Sequence, residues 1–268
     1  MITLTTRLPY SYGKRIKLKP IFDVHLGNTA CDTKAFKEYL AKDYDPEDTF
    51  FIGGGDLTDS VVTTDKRYQK SVDGTTGDAI IDEQLETAYD YLKPYASNII
   101  GMSEGNHEQV ITKKCGTNPA KRICSMLNVP YLGYSSLIGI TVYDRDNEKR
   151  CMRIVTRTHH GWGGGSRTRG SDITKYEKDV GHWDADIYMY GHVHKKQIDR
   201  VPRLGLANGK LIAKPQLFCI CGTFLKTYTM SSDSTYSERG GYPPVEIGGV
   251  MVYITPGKKS GFELTGDI

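Results

Sequence analysis

The chain lacks the features that would place it in a membrane or a secretory pathway. Its 268 residues contain no run of about 18 consecutive apolar residues, so no membrane span is expected. Met1-Ile2-Thr3-Leu4 opens it without the apolar core of a signal peptide. Charge is nearly balanced: a net +3 is too little to mark a nucleic-acid binder by itself. No repeat, low-complexity stretch or linker divides it, which leaves a single domain over 1–268 as the expectation. The six cysteines (Cys31, Cys115, Cys124, Cys151, Cys219 and Cys221) lack zinc-finger spacing. They read as buried free thiols in a reducing compartment, the cytoplasm. With 38% hydrophobic and 25% charged residues, the composition is that of a globular protein with a sizeable core.

What the sequence does have is a recurrent pattern of apolar, strand-like runs that end in a polar residue able to bind metal. Phe50-Phe51-Ile52 leads through Gly53-Gly54-Gly55 to Asp56-Leu57-Thr58-Asp59. Glycines there permit positive φ and close backbone approach. Ile16 to Phe22 delivers Asp23-Val24-His25. In an extended segment residues two apart share a side, so both could face one ion. Asn98 to Met102 is closed by Gly105-Asn106-His107-Glu108. Cys151 to Thr158, paired as a hairpin with Tyr131 to Val142, runs into His159-His160-Gly161. Ile187 to Tyr190 leads to Gly191-His192-Val193-His194.

Helices are expected over Asp32 to Tyr44, Ala79 to Leu92, Pro119 to Leu127 and Asp172 to Val180, and loop over 61–78. Further strands are expected over Gln197 to Val201, Lys210 to Ile212, Gln216 to Gly222, Val250 to Ile254 and Phe262 to Leu264. Taken singly, an Asp after a strand is a turn former, and a lone His is ordinary core or surface. Five successive strand ends carrying such residues point to a metal site, because open α/β sheets bind ligands beyond the carboxyl ends of their strands.

The set resembles the calcineurin-like metallophosphoesterase superfamily. That pattern stands here as Asp23-Val24-His25, Gly55-Asp56-Leu57-Thr58-Asp59, Gly105-Asn106-His107-Glu108, His160-Gly161 and Gly191-His192-Val193-His194. The resemblance implies a four-layer α/β/β/α sandwich of two mixed β-sheets flanked by helices, with metals at the strand C-terminal ends and the C-terminal strands in the second sheet. It implies two metals, one held by Asp23, His25, Asp56 and His194, the other by Asp56, Asn106, His160 and His192. Asp56 then bridges them, and Gly53 to Gly55 form the floor beneath. A water shared by the metals would attack phosphorus, with His107 off the metals as the catalytic residue that stabilises the phosphoryl oxygens or protonates the leaving group. Asp59 is expected to support a histidine rather than bind metal, and Glu108 to be structural. His160 is preferred over His159 as the ligand because it adjoins glycine. Only two carboxylates facing two divalent ions leave net positive charge, which suits a phosphate.

An all-nitrogen-and-oxygen donor set rich in histidine suits manganese, iron, zinc, nickel or cobalt better than calcium or magnesium, and manganese is the leading expectation among them. The loop from Trp162 to Gly170 leaves the metal motif directly. Trp162 is expected to stack on substrate, and Arg167 and Arg169 to fork onto phosphate oxygens. Lys66, Arg67 and Lys70 could form an opposite rim. The leading expectation is a phosphoesterase acting on a small phosphomonoester or phosphodiester, with a nucleotide-like compound as one candidate given Trp162. The alternative is a nuclease acting on DNA or RNA, as in the DNA-repair branch of the superfamily. A non-enzymatic scaffold is a third reading, disfavoured because such proteins would be expected to lose metal ligands.

Overall fold

The computed structural model describes residues 1–65, 68, 73–75, 79–168, 170–230, 234–257 and 261–268. Lys66, Arg67, Lys70 and Arg169 fall outside the described residues. Two mixed sheets stack face to face. The first has strand order β14 (Phe262–Asp267), β13 (Met251–Pro256), β2 (Ile16–Ile21), β3 (Thr49–Gly54), β4 (Ile99–Ser103). The second runs β1 (Ile2–Tyr10), β5 (Ser135–Asp144), β6 (Cys151–His159), β7 (Ile187–Tyr190), β11 (Leu217–Thr223), β12 (Gly248–Gly249), with β8 (Lys196–Arg200) also paired to β11. Strands β2, β3 and β4 are mutually parallel, and so are β6, β7 and β11. A separate hairpin joins β9 (Arg203–Ala207) to β10 (Lys210–Lys214).

Strand alternation explains the layers. Phe50 and Ile52 of β3 face the space between the sheets with Ile187 and Met189 of β7. Phe51 points the other way, onto helices α1 (Thr33–Ala41), α2 (Ile80–Leu92) and α4 (Pro119–Leu127), through Phe36, Leu85 and Ile123 among others. Tyr188 and Tyr190 of β7 likewise turn outward, onto Tyr176 of α5 (Ser171–Val180). The order is helix, sheet, sheet, helix, as the motif resemblance implies. Among the described residues no helix is long and apolar enough to cross a membrane.

Three expectations need correction. The C-terminal strands do not all join the second sheet: β8, β11 and β12 do, but β13 and β14 extend the first sheet beside β2. A further helix, α3 (Asn106–Cys115), begins at the glycine-asparagine-histidine motif itself. All six cysteines are free, yet Cys115 and Cys151 are exposed. Both lie at the outer ends of their elements, away from the sheet interior.

Candidate metal centre

Five strand ends deliver the side chains to one place. Asp23 and His25 follow β2, Asp56 follows β3, Asn106 opens α3 just after β4, His160 follows β6, and His192 and His194 follow β7. Ligand-type atoms of Asp23, His25 and His194 lie within 4.8 Å of one another, and so do those of Asp56, His160 and His192. Within the first group His25 Nε2 and His194 Nε2 are 3.2 Å apart, and His194 Nε2 is 3.5 Å from Asp23 Oδ1. Within the second, His160 Nε2 is 3.2 Å from Asp56 Oδ2. Asn106 Oδ1 lies 3.0 Å from His160 Nε2 and 2.8 Å from His192 Nδ1. Asp56 Oδ2 also lies 3.9 Å from His25 Nε2, so this one carboxylate touches both groups.

Asp23 and His25 do not share a side because the chain is extended. Strand β2 has ended at Ile21, and both residues adopt left-handed backbone, with φ of 49° and 55°. Asp56, His192 and His194 do the same, at 50°, 71° and 57°. Positive φ is uncommon outside glycine, though Asp and His tolerate it better than most. Here it turns the chain just past each strand end, where the side chains converge. The loops interlock tightly: a Cβ on Gly55 would lie 2.5 Å from Gly105 N, and one on Gly105 would lie 2.1 Å from Asp56 Oδ1.

A buried carboxylate fastens this junction. Glu108 Oε2 accepts from the Asp56 and Gly105 N–H groups at 3.0 and 2.9 Å, and Oε1 accepts from Thr58 N–H at 3.1 Å. Burial and the Asp56 charge push the Glu108 carboxyl up to about 7, against the pull of the N–H donors. Burial alone would raise Asp56 as well, but the imidazoles of His160, His107 and His25 hold it well below the usual carboxylate range. Burial alone would lower His160; the carboxylates of Asp56 and Asp23 reverse this and push its imidazole up to about 9.

The donor chemistry fits metal ions. Nδ1 of His160 donates to Gly54 O at 3.0 Å, which leaves Nε2 to face the oxygens of Asn106 and Asp56. Among the described residues Oδ1 of the wholly buried Asp23 has no well-formed hydrogen bond, with His194 Nε2 3.5 Å away. Ring nitrogens and oxygens that converge in a buried place balance their charge either through protons on the imidazoles or through a cation that displaces those protons, and this donor set can do both. Asp59 stands behind this arrangement, its Oδ1 3.3 Å from His25 Nδ1 and 3.7 Å from His107 Nδ1. His107 donates through Nδ1 to the Asp59 carbonyl and turns Nε2 to within 4.0 Å of Asp56 Oδ2. Its backbone N–H donates to Asp56 Oδ1 at 2.9 Å.

The paired histidines diverge. His160 is wholly buried among the candidate ligands, whereas the His159 ring packs on Tyr134, Trp162 and Tyr190. Burial and nearby Arg157 push His159 down to about 4.

Beside these groups lies a cavity of about 310 Å³, bounded also by the 164–166 loop and by Leu225, Lys226, Thr227, Thr235, Tyr242 and Val245 among others. Two expected substrate contacts point elsewhere. Trp162 packs its ring on Tyr176, Tyr190 and His159 and does not line the cavity. Arg167 does not line it either, and spends its guanidinium on Gly240 O at 2.7 Å. Both were read from residue type and from a place beside a metal motif, and most of the partners that occupy them, Tyr176, Tyr190 and Gly240, belong to later elements of the chain. Sequence reasoning passed over Lys195, Lys226 and Tyr242, which do line the cavity. Lys195 adjoins a metal motif and could have been suspected on that ground; the other two sit in a stretch without periodicity.

No protein-family model and no curated protein matches the chain. Among solved structures it is similar to Vps29 of Chaetomium thermophilum, at 11% identity over 94% of each chain with a TM-score of 0.39. It is similar also to protein TM1076 of Thermotoga maritima, at 10% identity over 93% of this chain and 98% of that one, with a TM-score of 0.32. A third is Vps29 complexed with zinc from Entamoeba histolytica, at 12% identity over 95% of this chain and 98% of that one, with a TM-score of 0.32.

Proposed function

We propose that the chain is a metal-dependent hydrolase of phosphoric esters that works with two divalent ions, manganese foremost. The observation that carries this is the set of largely buried donor groups around one carboxylate: Asp56 clusters with His160 and His192 on one side and with His25 and His107 on the other, and His25 clusters in turn with Asp23 and His194. Asp23, His25, Asp56 and His194 would hold one ion, and Asp56, Asn106, His160 and His192 the other. Bound there, two ions would supply Lewis acidity toward phosphoryl oxygens and a lowered pKa for the attacking water.

The remaining chemistry belongs to the chain. His107 presents Nε2 to the cavity while its Nδ1–H is fixed on the Asp59 carbonyl, which sets the ring's orientation. A proton on Nε2 can then pass to the leaving oxygen. Asp59 holds the His25 and His107 rings from behind. Glu108 fixes the Asp56 backbone and so the reach of the shared carboxylate.

The test is a screen of phosphorylated compounds with added manganese, run beside metal analysis of the protein. Turnover of p-nitrophenyl phosphate or bis-p-nitrophenyl phosphate with two ions bound per chain is expected. Two bound ions without turnover of any ester would overturn the assignment.

A further inference from the structure

The hairpin of β9 and β10 stands outside both main sheets, and its two faces differ in chemistry. In its antiparallel register Leu206 lies opposite Leu211 and Leu204 opposite Ala213. Side chains two apart along a strand share a side, so one face consists of Leu204, Leu206, Leu211 and Ala213. All four are exposed, the leucines by 65, 79 and 73%. The other face carries Arg203, Lys210 and Lys214, with Ile212 between the lysines. A surface hairpin ordinarily packs its apolar face and shows the polar one to water. Here the order is reversed: Arg203 ties the basic face to Asp184, and the leucines are left to water.

Charge completes the pattern. From Arg200 to Gln216 there are four basic residues and no acidic one. Arg200 and Arg203 pair with Glu263 and Asp184, whereas Lys210 and Lys214 form no ion pair among the described residues. An apolar face backed by a cationic one is the arrangement of elements that lie in a membrane interface, with the apolar side at the acyl boundary and Lys or Arg among the headgroups. A folded protein partner fits less well. Three leucines and an alanine cover on the order of a few hundred Å², short of the roughly 800 Å² that each side of a stable protein interface buries. The face also lacks any side-chain hydrogen-bonding group, which such interfaces use about once per 100–200 Å². A bilayer requires neither. The open outer edges of the two-stranded ribbon leave backbone groups unpaired, which confines it to headgroup depth.

We infer that the β9–β10 hairpin docks the protein on an anionic lipid surface, Leu204, Leu206 and Leu211 entering the acyl boundary and Lys210 and Lys214 meeting the headgroup phosphates. This is a surface contact and not a span, and it is independent of the phosphoesterase reading.

The experiment co-sediments the full chain with vesicles of phosphatidylcholine alone, or of phosphatidylcholine with about one third phosphatidylglycerol. Binding is expected on the anionic vesicles, far less on the neutral ones, and should weaken as salt is raised. Leu206→Ser with Leu211→Ser should lower the partition about tenfold, and Lys210→Gln or Lys214→Gln about fivefold each, with Tm unchanged in all of them. Sedimentation equilibrium without lipid is run beside it. Failure to bind anionic vesicles, or equal binding by the double-leucine variant, would overturn the proposal. A dimer that forms without lipid and is lost in the double-leucine variant would overturn it as well, by giving the face to a second copy of the chain.

Discussion

Replacing Asp56 by Asn removes one charge and changes almost nothing in shape. The amide oxygen can still accept from the His107 N–H, which now donates to Asp56 Oδ1 at 2.9 Å, so the loop should keep its course. The other oxygen is the one that matters. Asp56 Oδ2 lies 3.2 Å from His160 Nε2 and 3.9 Å from His25 Nε2, one from each donor group. A unit charge about 4 Å from another is worth about 4 kcal/mol at an effective dielectric near 20. That is close to a thousandfold in an equilibrium constant, and because the carboxylate touches both groups it should fall on both ions together. Metal analysis after dialysis against micromolar manganese should therefore drop from two ions per chain to nearly none in Asp56→Asn. Titration calorimetry should show both binding steps weakened. Retention of one ion at unchanged affinity would show that the carboxylate serves a single ion, and would refute the shared-ligand argument.

Three further outcomes follow from the same geometry. His107→Ala should keep both ions yet lose about 10²- to 10⁴-fold in kcat, the range for losing a positioned acid; fewer than two ions in this variant would make His107 a ligand. Stripping the metal with chelator should lower Tm by several degrees, since ions present at about a hundred times Kd stabilise by about 2.7 kcal/mol, and an unchanged Tm would remove the metals from the folded state. Lys19 supplies a pH test away from the site. It is wholly buried, its Nζ donates to the carbonyls of Tyr39, Leu40 and Lys42, and burial pushes it down from 10.5 to about 8. Between those pH values the unfolded chain holds a proton that the folded chain has lost, so stability rises with pH. The difference in unfolding free energy between the wild type and Lys19→Met should shift toward the wild type by about 3 kcal/mol from pH 8 to 10.5. A flat difference by urea titration would refute it.

The motifs were legible because each packs its chemistry into neighbouring residues at a strand end, and strand ends are marked by glycine. Asp56, Asn106, His160 and His192 could be named without coordinates for that reason. What the pattern hid was the backbone that aims them, since no residue type announces that Asp23 and His25 sit at φ of 49° and 55°. The helix from Asn106 to Cys115 was missed because only Val110 and Ile111 interrupt a polar surface, which leaves no 3.6-residue stripe. Two other omissions had signals. Ile2, Leu4 and Leu8 alternate with Thr3, Thr5 and Arg7 along β1. Asn208-Gly209, with φ of 50° and 70°, is the preferred dipeptide for the tight turn between β9 and β10. Trp162 and Arg167 failed differently: aromatic and basic residues in a glycine loop beside a metal motif look like substrate contacts until tertiary partners claim them. Tyr176 and Gly240, the partners in question, are remote enough in sequence that local reading could not weigh them.

The left-handed ligand residues imply an inversion of an ordinary stability rule. In regular structure a Gly variant is less stable than the Ala variant by roughly 0.5–1 kcal/mol, because glycine loses more backbone entropy on folding. At His194, where φ is 57°, alanine would bring its Cβ against the following carbonyl at a cost of about 1–2 kcal/mol, and glycine would not. Both substitutions delete the same imidazole and the same contacts with His25 and Asp23, so comparing them isolates the backbone term. With chelator present to remove any metal contribution, His194→Gly should be the more stable of the two by about 1 kcal/mol, read from urea midpoints at equal slopes. A control pair at an ordinary helical position such as Lys121 in α4 should show the reverse order. If Ala proves as stable as Gly at 194, the left-handed turn carries no strain there. The backbone bend would then be a relaxed consequence of the glycine-flanked loop rather than a conformation the fold imposes to aim its ligands.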